Sequence, residues 1–377
     1  MTSKERMKRA MDRRTPDRVP VMCQMSFGHM LLQTRSAPSE FWFSAELFAE
    51  GLIRLRELYG FDGFLVSLFG HPAGWKKMLV EIRKHSDGEE AWWQNGDRTY
   101  FPFDDLPQHR PQIQPPLPSV FDFDVESIPE EVDAIPVSQG LLFPLDSEHT
   151  FDVFNHIRSR TGTRFSIHGE VTSPFDYFLN LFGHDNALAA LIEEPSRCEA
   201  VLNRYCEAIK KLALAQVAWG VDAVKISSPF AGSGFISPRF YRRFVLPYEG
   251  EIATAVRSKN THIYTHTCGA VGDRLESIVE SGISGLECLD PPPLGDVDLR
   301  DAVNRVGDRV FIKGNIDPVH TLLYGSEKEV EEDARMRIET AKRKGGYILS
   351  SACSIAPHTP RRNVQALLRT AEKHGTY

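Results

Sequence analysis

The sequence predicts an α/β protein built on a parallel (β/α)8 barrel of the TIM type, with a small antiparallel insertion after the second strand. Short apolar runs alternate with amphipathic segments along most of the chain, and eight such runs match the strand number of this barrel. Hairpin signals interrupt the alternation once, after the second run. We expect residues 1–377 to form one domain, with the insertion at about residues 71–161.

The predicted strands are short apolar runs bounded by turn residues. The first lies at residues 18–25, around Val19-Pro20-Val21-Met22, and the second at residues 64–68. Six more strands are predicted at residues 165–168, 223–227, 262–267, 285–289, 310–314 and 347–351.

The segments between these runs carry the start and stop signals of helices. Thr2 and Glu5 have the spacing of a capping box, as do Ser326 and Glu329. Gly220 follows a long helical pattern and is expected to end it. This punctuation favours a helix after each strand, as the barrel requires.

The predicted insertion lacks the alternation of strand and helix patterns that the rest of the chain shows. Asp87-Gly88 and Asn95-Gly96 are hairpin turns in sequence, and a proline-rich excursion follows them. We expect the aromatic side chains here, such as Trp92 and Trp93, to pack the insertion onto the barrel, because aromatics mostly supply buried area. Ligand binding by these aromatics is the alternative.

Composition excludes several classes of function. The net charge is −7 and the basic residues are scattered, which argues against a nucleic-acid partner. We find no run of the ~18 apolar residues that a membrane span needs, and no signal-peptide pattern at the N-terminus. The six cysteines lack the spacing of a disulfide framework. We therefore expect a soluble cytoplasmic protein, with no membrane partner, in which thiols are available for chemistry.

A metal site is predicted at the mouth of the barrel, where catalytic residues follow the strands. His266 and Cys268 are two residues apart at the end of a strand and so share a face. Cys353 follows the last strand and supplies a third soft ligand. Three protein ligands of this type suit a catalytic zinc ion with one open position. The alternative is that the cysteines are small buried hydrophobes and His266 is a hydrogen-bonded core histidine.

Four segments of the chain resemble the uroporphyrinogen decarboxylase superfamily. They are Pro16-Asp17-Arg18-Val19-Pro20-Val21, His168-Gly169 through Ser173-Pro174-Phe175 to Gly183, Gly314-Asn315-Ile316-Asp317-Pro318, and Cys353 through Thr359-Pro360 to Asn363. The resemblance implies a (β/α)8 barrel and one of two chemistries. One is porphyrinogen decarboxylation without a cofactor, and the other is zinc-dependent methyl transfer with a cobamide.

Departures from the decarboxylase pattern favour the second chemistry. The loop at residues 24–30 lacks the arginines that would hold substrate carboxylates, and Phe69 stands near the position of the catalytic aspartate. His266, Cys268 and Cys353, the last before a Thr-Pro turn, instead match the methylcobamide:coenzyme M methyltransferases and related corrinoid-linked demethylases. The resemblance thus implies that these three residues bind zinc.

The implied reaction moves a methyl group between a corrinoid on a separate carrier protein and a small substrate. That substrate is a thiol such as coenzyme M, or a methylated or methoxylated donor in an O-demethylation. Glu170 is predicted to be catalytic, as a fourth zinc ligand or proton acceptor, with helix capping as the alternative; His168 is predicted to assist it. We predict that Asn315 and Asp317 contact the cobamide, or serve only as scaffold. A decarboxylase-like lyase and a non-catalytic corrinoid- or substrate-binding barrel remain alternatives.

Overall fold

The computed structural model describes residues 1–377, apart from the side chain of residue 344. The strands are β1 (Gly63–Val66), β2 (Leu79–Lys84), β3 (Gly88–Trp93), β4 (Arg98–Pro102), β5 (Gln108–Arg110), β6 (Ala134–Ser138), β7 (Leu141–Pro144), β8 (Ser166–Thr172), β9 (Ala223–Ser227), β10 (His262–Thr267), β11 (Gly285–Cys288), β12 (Phe311–Ile316) and β13 (Tyr347–Ser351). A parallel sheet of seven strands runs in the order β1-β8-β9-β10-β11-β12-β13. The predicted α/β class is confirmed.

Helices occupy the connections of this sheet and both chain ends. They are α1 (Ser3–Met11), α2 (Phe27–Thr34), α3 (Pro38–Phe43), α4 (Ala45–Tyr59), α5 (Asp152–Thr161), α6 (Pro174–Phe182), α7 (His184–Glu193), α8 (Pro195–Trp219), α9 (Pro238–Phe244), α10 (Leu246–Arg257), α11 (Leu275–Glu280), α12 (Leu299–Val306), α13 (Glu327–Ala341) and α14 (Arg361–His374). The predicted capping boxes at Thr2 and Ser326 are both formed, and Gly220 ends α8 in the left-handed conformation.

The prediction of a first strand at residues 18–25 was wrong, because the structure forms only isolated bridges there. Val21 pairs with Leu349 and Met25 with Ile355, both in parallel. Pro20 has no backbone N–H, and the N–H of Val21 donates to a carboxylate oxygen of Asp62 at 2.9 Å, so a continuous ladder cannot form. On the other side of the segment, the Asp62 N–H donates to the Val21 carbonyl at 2.8 Å. The segment therefore lies between β13 and β1, where the eighth strand of a barrel would be.

An apolar cluster packs α1 against the N-terminal ends of the barrel strands. Met7, Ala10 and Met11 of α1 are buried with Tyr264 and Phe311, which begin or lie early in their strands. Burial of this surface stabilises the end of the sheet opposite the predicted site. The polar interior residues lie farther along the strands.

Between β1 and β8 the chain forms two antiparallel sheets, β2-β3-β4-β5 and β6-β7. Phe43 of α3 stacks on Trp75, with ring centroids 4.8 Å apart, and meets Trp93 of β3 at 5.6 Å. Glu89 of β3 accepts a hydrogen bond from the Ser39 hydroxyl at 2.6 Å. These contacts pack the antiparallel sheet of β2–β5 against α3.

Over the part of the chain that the structure describes, no helix combines the length and the apolar character needed to cross a membrane.

Candidate metal centre

Three side chains with soft donor atoms converge at the end of β10. Nε2 of His266 lies 3.3 Å from Sγ of Cys268 and 3.9 Å from Sγ of Cys353. The two sulfur atoms are 3.7 Å apart. His266 is buried, and both cysteines are half-buried, so the group lies below the surface but is open on one side.

These distances fit a tetrahedral zinc ion. Two Zn–S bonds of ~2.3 Å at a tetrahedral angle separate their sulfurs by ~3.7 Å, and a Zn–N bond of ~2.0 Å sets nitrogen and sulfur ~3.5 Å apart. A hydrogen bond with Cys268 and burial raise the pKa of Cys353, and the pKa of Cys268 is raised above all by its hydrogen bond with Cys288. The two thiols therefore need a nearby cation to become thiolates together.

Glu287 of β11 fixes the orientation of His266. Its Oε2 lies 3.1 Å from Nδ1 of the imidazole, which leaves Nε2 facing the two sulfurs. A carboxylate behind a histidine ligand is the usual arrangement in zinc sites, because it sets the tautomer and the ring angle. Burial alone would raise the pKa of Glu287, but Lys313 and Lys225 outweigh it and hold this pKa well below its usual value.

Two buried lysines neutralise the carboxylates beneath the centre. Lys313 donates to Oε1 of Glu287, and Lys225 lies 3.6 Å from Oε2 of the same residue. Lys225 also donates to Gln24 at 2.5 Å and to Glu170 at 3.2 Å. Burial lowers the pKa of Lys225, but the neighbouring Glu170 and Glu287 raise it by more. The net pKa is above the usual value, so the lysine carries its charge. The carboxylates of Glu170 and Glu287 thus each lie beside a buried lysine.

The sequence alone assigned no role to Lys225, Glu287 or Lys313. Glu170 and Lys225 are register partners on β8 and β9, and Glu287 is the partner of His266 on β11. The signal was a single charged residue within each of the apolar runs of β9, β11 and β12, and the register between neighbouring strands places these residues on one face of the sheet.

The two residues predicted as catalytic occupy different surroundings. Glu170 lies near the centre but is not among the donors grouped with His266; its observed partner is Lys225. His168 is fully buried, with Ser166 and the Tyr264 hydroxyl each 3.0 Å from one ring nitrogen. Burial lowers the pKa of His168 to about 3, so the ring is neutral. Its contacts are those of a core histidine, and its catalytic role stays a prediction.

Asn315 and Asp317, predicted to contact the cobamide, make structural hydrogen bonds. The Asn315 amide donates to the Leu289 carbonyl at 2.7 Å, and its oxygen accepts from Arg337. Asp317 accepts from the N–H groups of Val319 at 2.7 Å and His320 at 2.8 Å, as the cap of a helical turn. These contacts favour the scaffold alternative for both residues.

The family is decided by a match over most of the chain. The family model described as uroporphyrinogen decarboxylase (URO-D) matches residues 111–374. The chain belongs to the uroporphyrinogen decarboxylase family. The resemblance inferred from its motifs is therefore confirmed.

The chain is similar to relatives of two different names. It is 24% identical over 390 residues to the methylcobamide:CoM methyltransferase MtbA of Methanosarcina mazei, covering 99% of this chain and 98% of the relative. It is 26% identical over 284 residues to the uroporphyrinogen decarboxylase of Crocosphaera subtropica, covering 72% of this chain and 73% of the relative. A solved structure of a methyltransferase from Methanosarcina mazei superposes with a TM-score of 0.75 at 22% identity and covers 99% of both chains. This structural likeness supports the barrel fold.

Features expected of a porphyrinogen decarboxylase are absent from the corresponding positions of this chain. Phe69 is buried and packs against Phe154, with ring centroids 5.7 Å apart. The segment at residues 24–30 carries no arginine. The site therefore lacks the charged groups that would bind several substrate carboxylates there.

Proposed function

We propose that this protein is a zinc-dependent methyltransferase that moves a methyl group between a corrinoid and a small substrate. The observation that carries the proposal is the group formed by His266, Cys268 and Cys353, whose separations suit one tetrahedral ion. Three protein donors leave one position for a substrate atom. Similarity over nearly the full length to a relative named as a methylcobamide:CoM methyltransferase supports the same reaction class.

A zinc ion bound here would keep a substrate thiol ionised at neutral pH, or would make the heteroatom of a methyl donor a better leaving group. The rest of the work falls to the protein. Glu287 holds the imidazole of His266 in the binding tautomer, while Lys225 and Lys313 keep that carboxylate ionised. Glu170 lies at the edge of this network, with 12% of its side chain exposed, and its proposed role is to accept a proton from a bound thiol.

A thiol such as coenzyme M is the small substrate that we propose first, because that compound appears in the name of the relative. Methylated or methoxylated donors form the second class, which the same donor group would serve. The corrinoid acts as the other substrate and is proposed to arrive on a carrier protein at the open side of the barrel.

Zinc content and corrinoid methylation test the proposal together. We expect about one equivalent of zinc in the purified protein, and we expect absorbance to report the conversion between cob(I)alamin and methylcob(III)alamin when thiols or methyl donors are added. The Cys353→Ala variant should lose the zinc and the conversion. Cys198→Ala is the matched control, since it removes a buried thiol from α8, outside the donor group.

Full zinc retention by Cys353→Ala would reject this ligand set. Zinc binding without any change in corrinoid methylation, over thiols, methylamines and methoxylated aromatics, would favour a binding protein. Porphyrinogen turnover in the presence of a chelator would instead support the decarboxylase reaction.

A further inference from the structure

Cys268 belongs to a second group of donor atoms besides the one already described. Its sulfur, the sulfur of Cys288 and a carboxylate oxygen of Asp290 all lie within 4.8 Å of one another. Cys288 and Asp290 are both buried, at the end of β11 and in the loop after it. The two groups therefore share one sulfur atom, that of Cys268.

Asp290 has one carboxylate oxygen with a partner and one without. Its Oδ2 accepts a hydrogen bond from the Gly269 N–H at 2.8 Å, directly after Cys268. Its Oδ1 has no hydrogen-bond partner among the described residues. Water cannot readily supply one, because Asp290 is buried and only 4% exposed. A buried carboxylate oxygen is unfavourable when unpaired, and a cation would satisfy it.

The backbone that presents these donors is unusual and is held in place. Cys288 and Leu289 have φ values of 81° and 58°, a left-handed conformation that side chains other than glycine seldom adopt. The Asn315 amide donates a hydrogen bond to the carbonyl of Leu289 at 2.7 Å, and the Val297 N–H donates to the Asp290 carbonyl at 3.1 Å. Strain that the surroundings hold in this way concentrates at functional sites.

We propose that Cys268, Cys288 and Asp290 form a second position for a thiophilic divalent cation such as Zn²⁺ or Cd²⁺, with the Cys268 thiolate bridging both ions. The proposal rests on the metal centre of the proposed function, because the two positions share Cys268. Three thiolates and one carboxylate balance two divalent cations in charge, and the nearby lysines are already matched by Glu170 and Glu287. Sulfur and carboxylate donors of this kind suit zinc and its softer analogue.

Metal titration of the full chain tests the second position. The protein is stripped of metal, kept reduced and free of oxygen, and titrated with Cd²⁺ while near-ultraviolet absorbance reports sulfur–metal bonds. Elemental analysis after removal of free ions then counts the bound metal. We expect two equivalents for the unchanged protein, the second bound more weakly and filled only when metal is added, so that the protein as purified holds one. Cys288→Ser and Asp290→Asn should each bind one, with the affinity of the remaining ion close to that of the tighter site.

The variants are chosen to preserve the fold. Asn at position 290 keeps an oxygen that accepts from the Gly269 N–H, and Ser at position 288 is close to Cys in size. Equal thermal melting temperatures for the metal-free proteins show that the fold is intact. Cys198→Ser in α8 is the control and should still bind two equivalents.

The outcomes separate this inference from the proposed function. One equivalent in the unchanged protein, lost on Cys353→Ala, overturns the second position and leaves the first. Two equivalents that persist in Cys288→Ser also overturn it. Failure to bind any ion overturns both proposals, whereas loss of only the second ion in both variants supports the inference.

Discussion

At the scale of single residues, the charge of Glu287 matters more than its size. The carboxylate lies between the imidazole of His266 and the ammonium groups of Lys225 and Lys313, with 1% of its side chain exposed. A buried charge in such a place is favourable only while each of its partners is present. Changes to this one side chain should therefore affect both the metal centre and the interior beneath it.

Glu287→Gln is expected to weaken zinc binding by about 10- to 100-fold, because the amide is a poorer acceptor for the imidazole N–H. Competition against a chromogenic chelator measures the affinity. Glu280→Gln, on the outer face of α11 with 47% of its side chain exposed, is the matched control. An affinity of Glu287→Gln within twofold of the unchanged protein would contradict the orienting role.

A second buried carboxylate, Glu249 of α10, makes stability depend on pH. Burial raises its pKa to about 7, and polar contacts with Ser228 and with the Thr265 hydroxyl, which lies at 3.4 Å, offset only part of that rise. A folded pKa above the unfolded value of 4.5 means that the stabilisation is complete below that value and is lost as pH rises through 7. The ionised form is the one that the fold disfavours.

Glu249→Gln removes this titrating group. The variant should therefore gain stability relative to the unchanged protein as the pH rises from 5 to 9. Between pH 5 and pH 9 the difference in unfolding free energy between the two proteins should change by about 2–3 kcal/mol, because about two pH units separate pH 5 from the folded pKa of about 7. Urea denaturation at both pH values measures it. A difference between the two proteins that does not change with pH would contradict the buried titration.

At the scale of elements, the end of β12 supports the turn after β11. Asn315 of β12 links the Leu289 carbonyl to Arg337 of α13, so one amide joins a strand, a loop and a helix. Asn315→Ala should lower the unfolding free energy by about 1–3 kcal/mol, because it leaves buried groups unpaired. Urea denaturation measures this, with Asn304→Ala on the exposed face of α12 as the control. Unchanged stability with weaker corrinoid binding would instead support the predicted cobamide contact.

The order of elements was predictable because their periodicity is local. Apolar runs gave seven of the barrel strands, with ends that moved by a few residues, and the spacing of His266 and Cys268 predicted two neighbouring donor atoms, which the structure places 3.3 Å apart. The strand expected at residues 18–25 was wrong because a distant carboxylate, Asp62, takes the N–H of Val21. The roles of Glu287 and Lys225 also depend on register between strands, which no single run of sequence contains.

At the scale of the whole molecule, Asp62 joins the N-terminal region to the sheet. This fully buried carboxylate lies 2.7 Å from Arg6 of α1 and 3.0 Å from Arg18. Asp62→Ala is expected to lower the unfolding free energy by roughly 3–5 kcal/mol, since it removes the buried carboxylate from both guanidinium groups and leaves the Val21 N–H without its acceptor. Asp17→Ala, which removes a carboxylate with 40% of its side chain exposed from the same Arg6, should cost about 1 kcal/mol or less. Equal losses in urea denaturation would contradict a special role for Asp62.

The sulfur atoms of Cys268 and Cys353 are 3.7 Å apart in space and 85 residues apart in the chain. A ribosome therefore completes most of the polypeptide before the third donor emerges, and an ion can be held by all three only after the last strand has joined the sheet. Metal would then bind only after the last strand has been synthesised and has folded. A bound ion would stabilise the contact between the later strands of the sheet. Fragments that end before Cys353 could fold in part, but they would lack a complete centre.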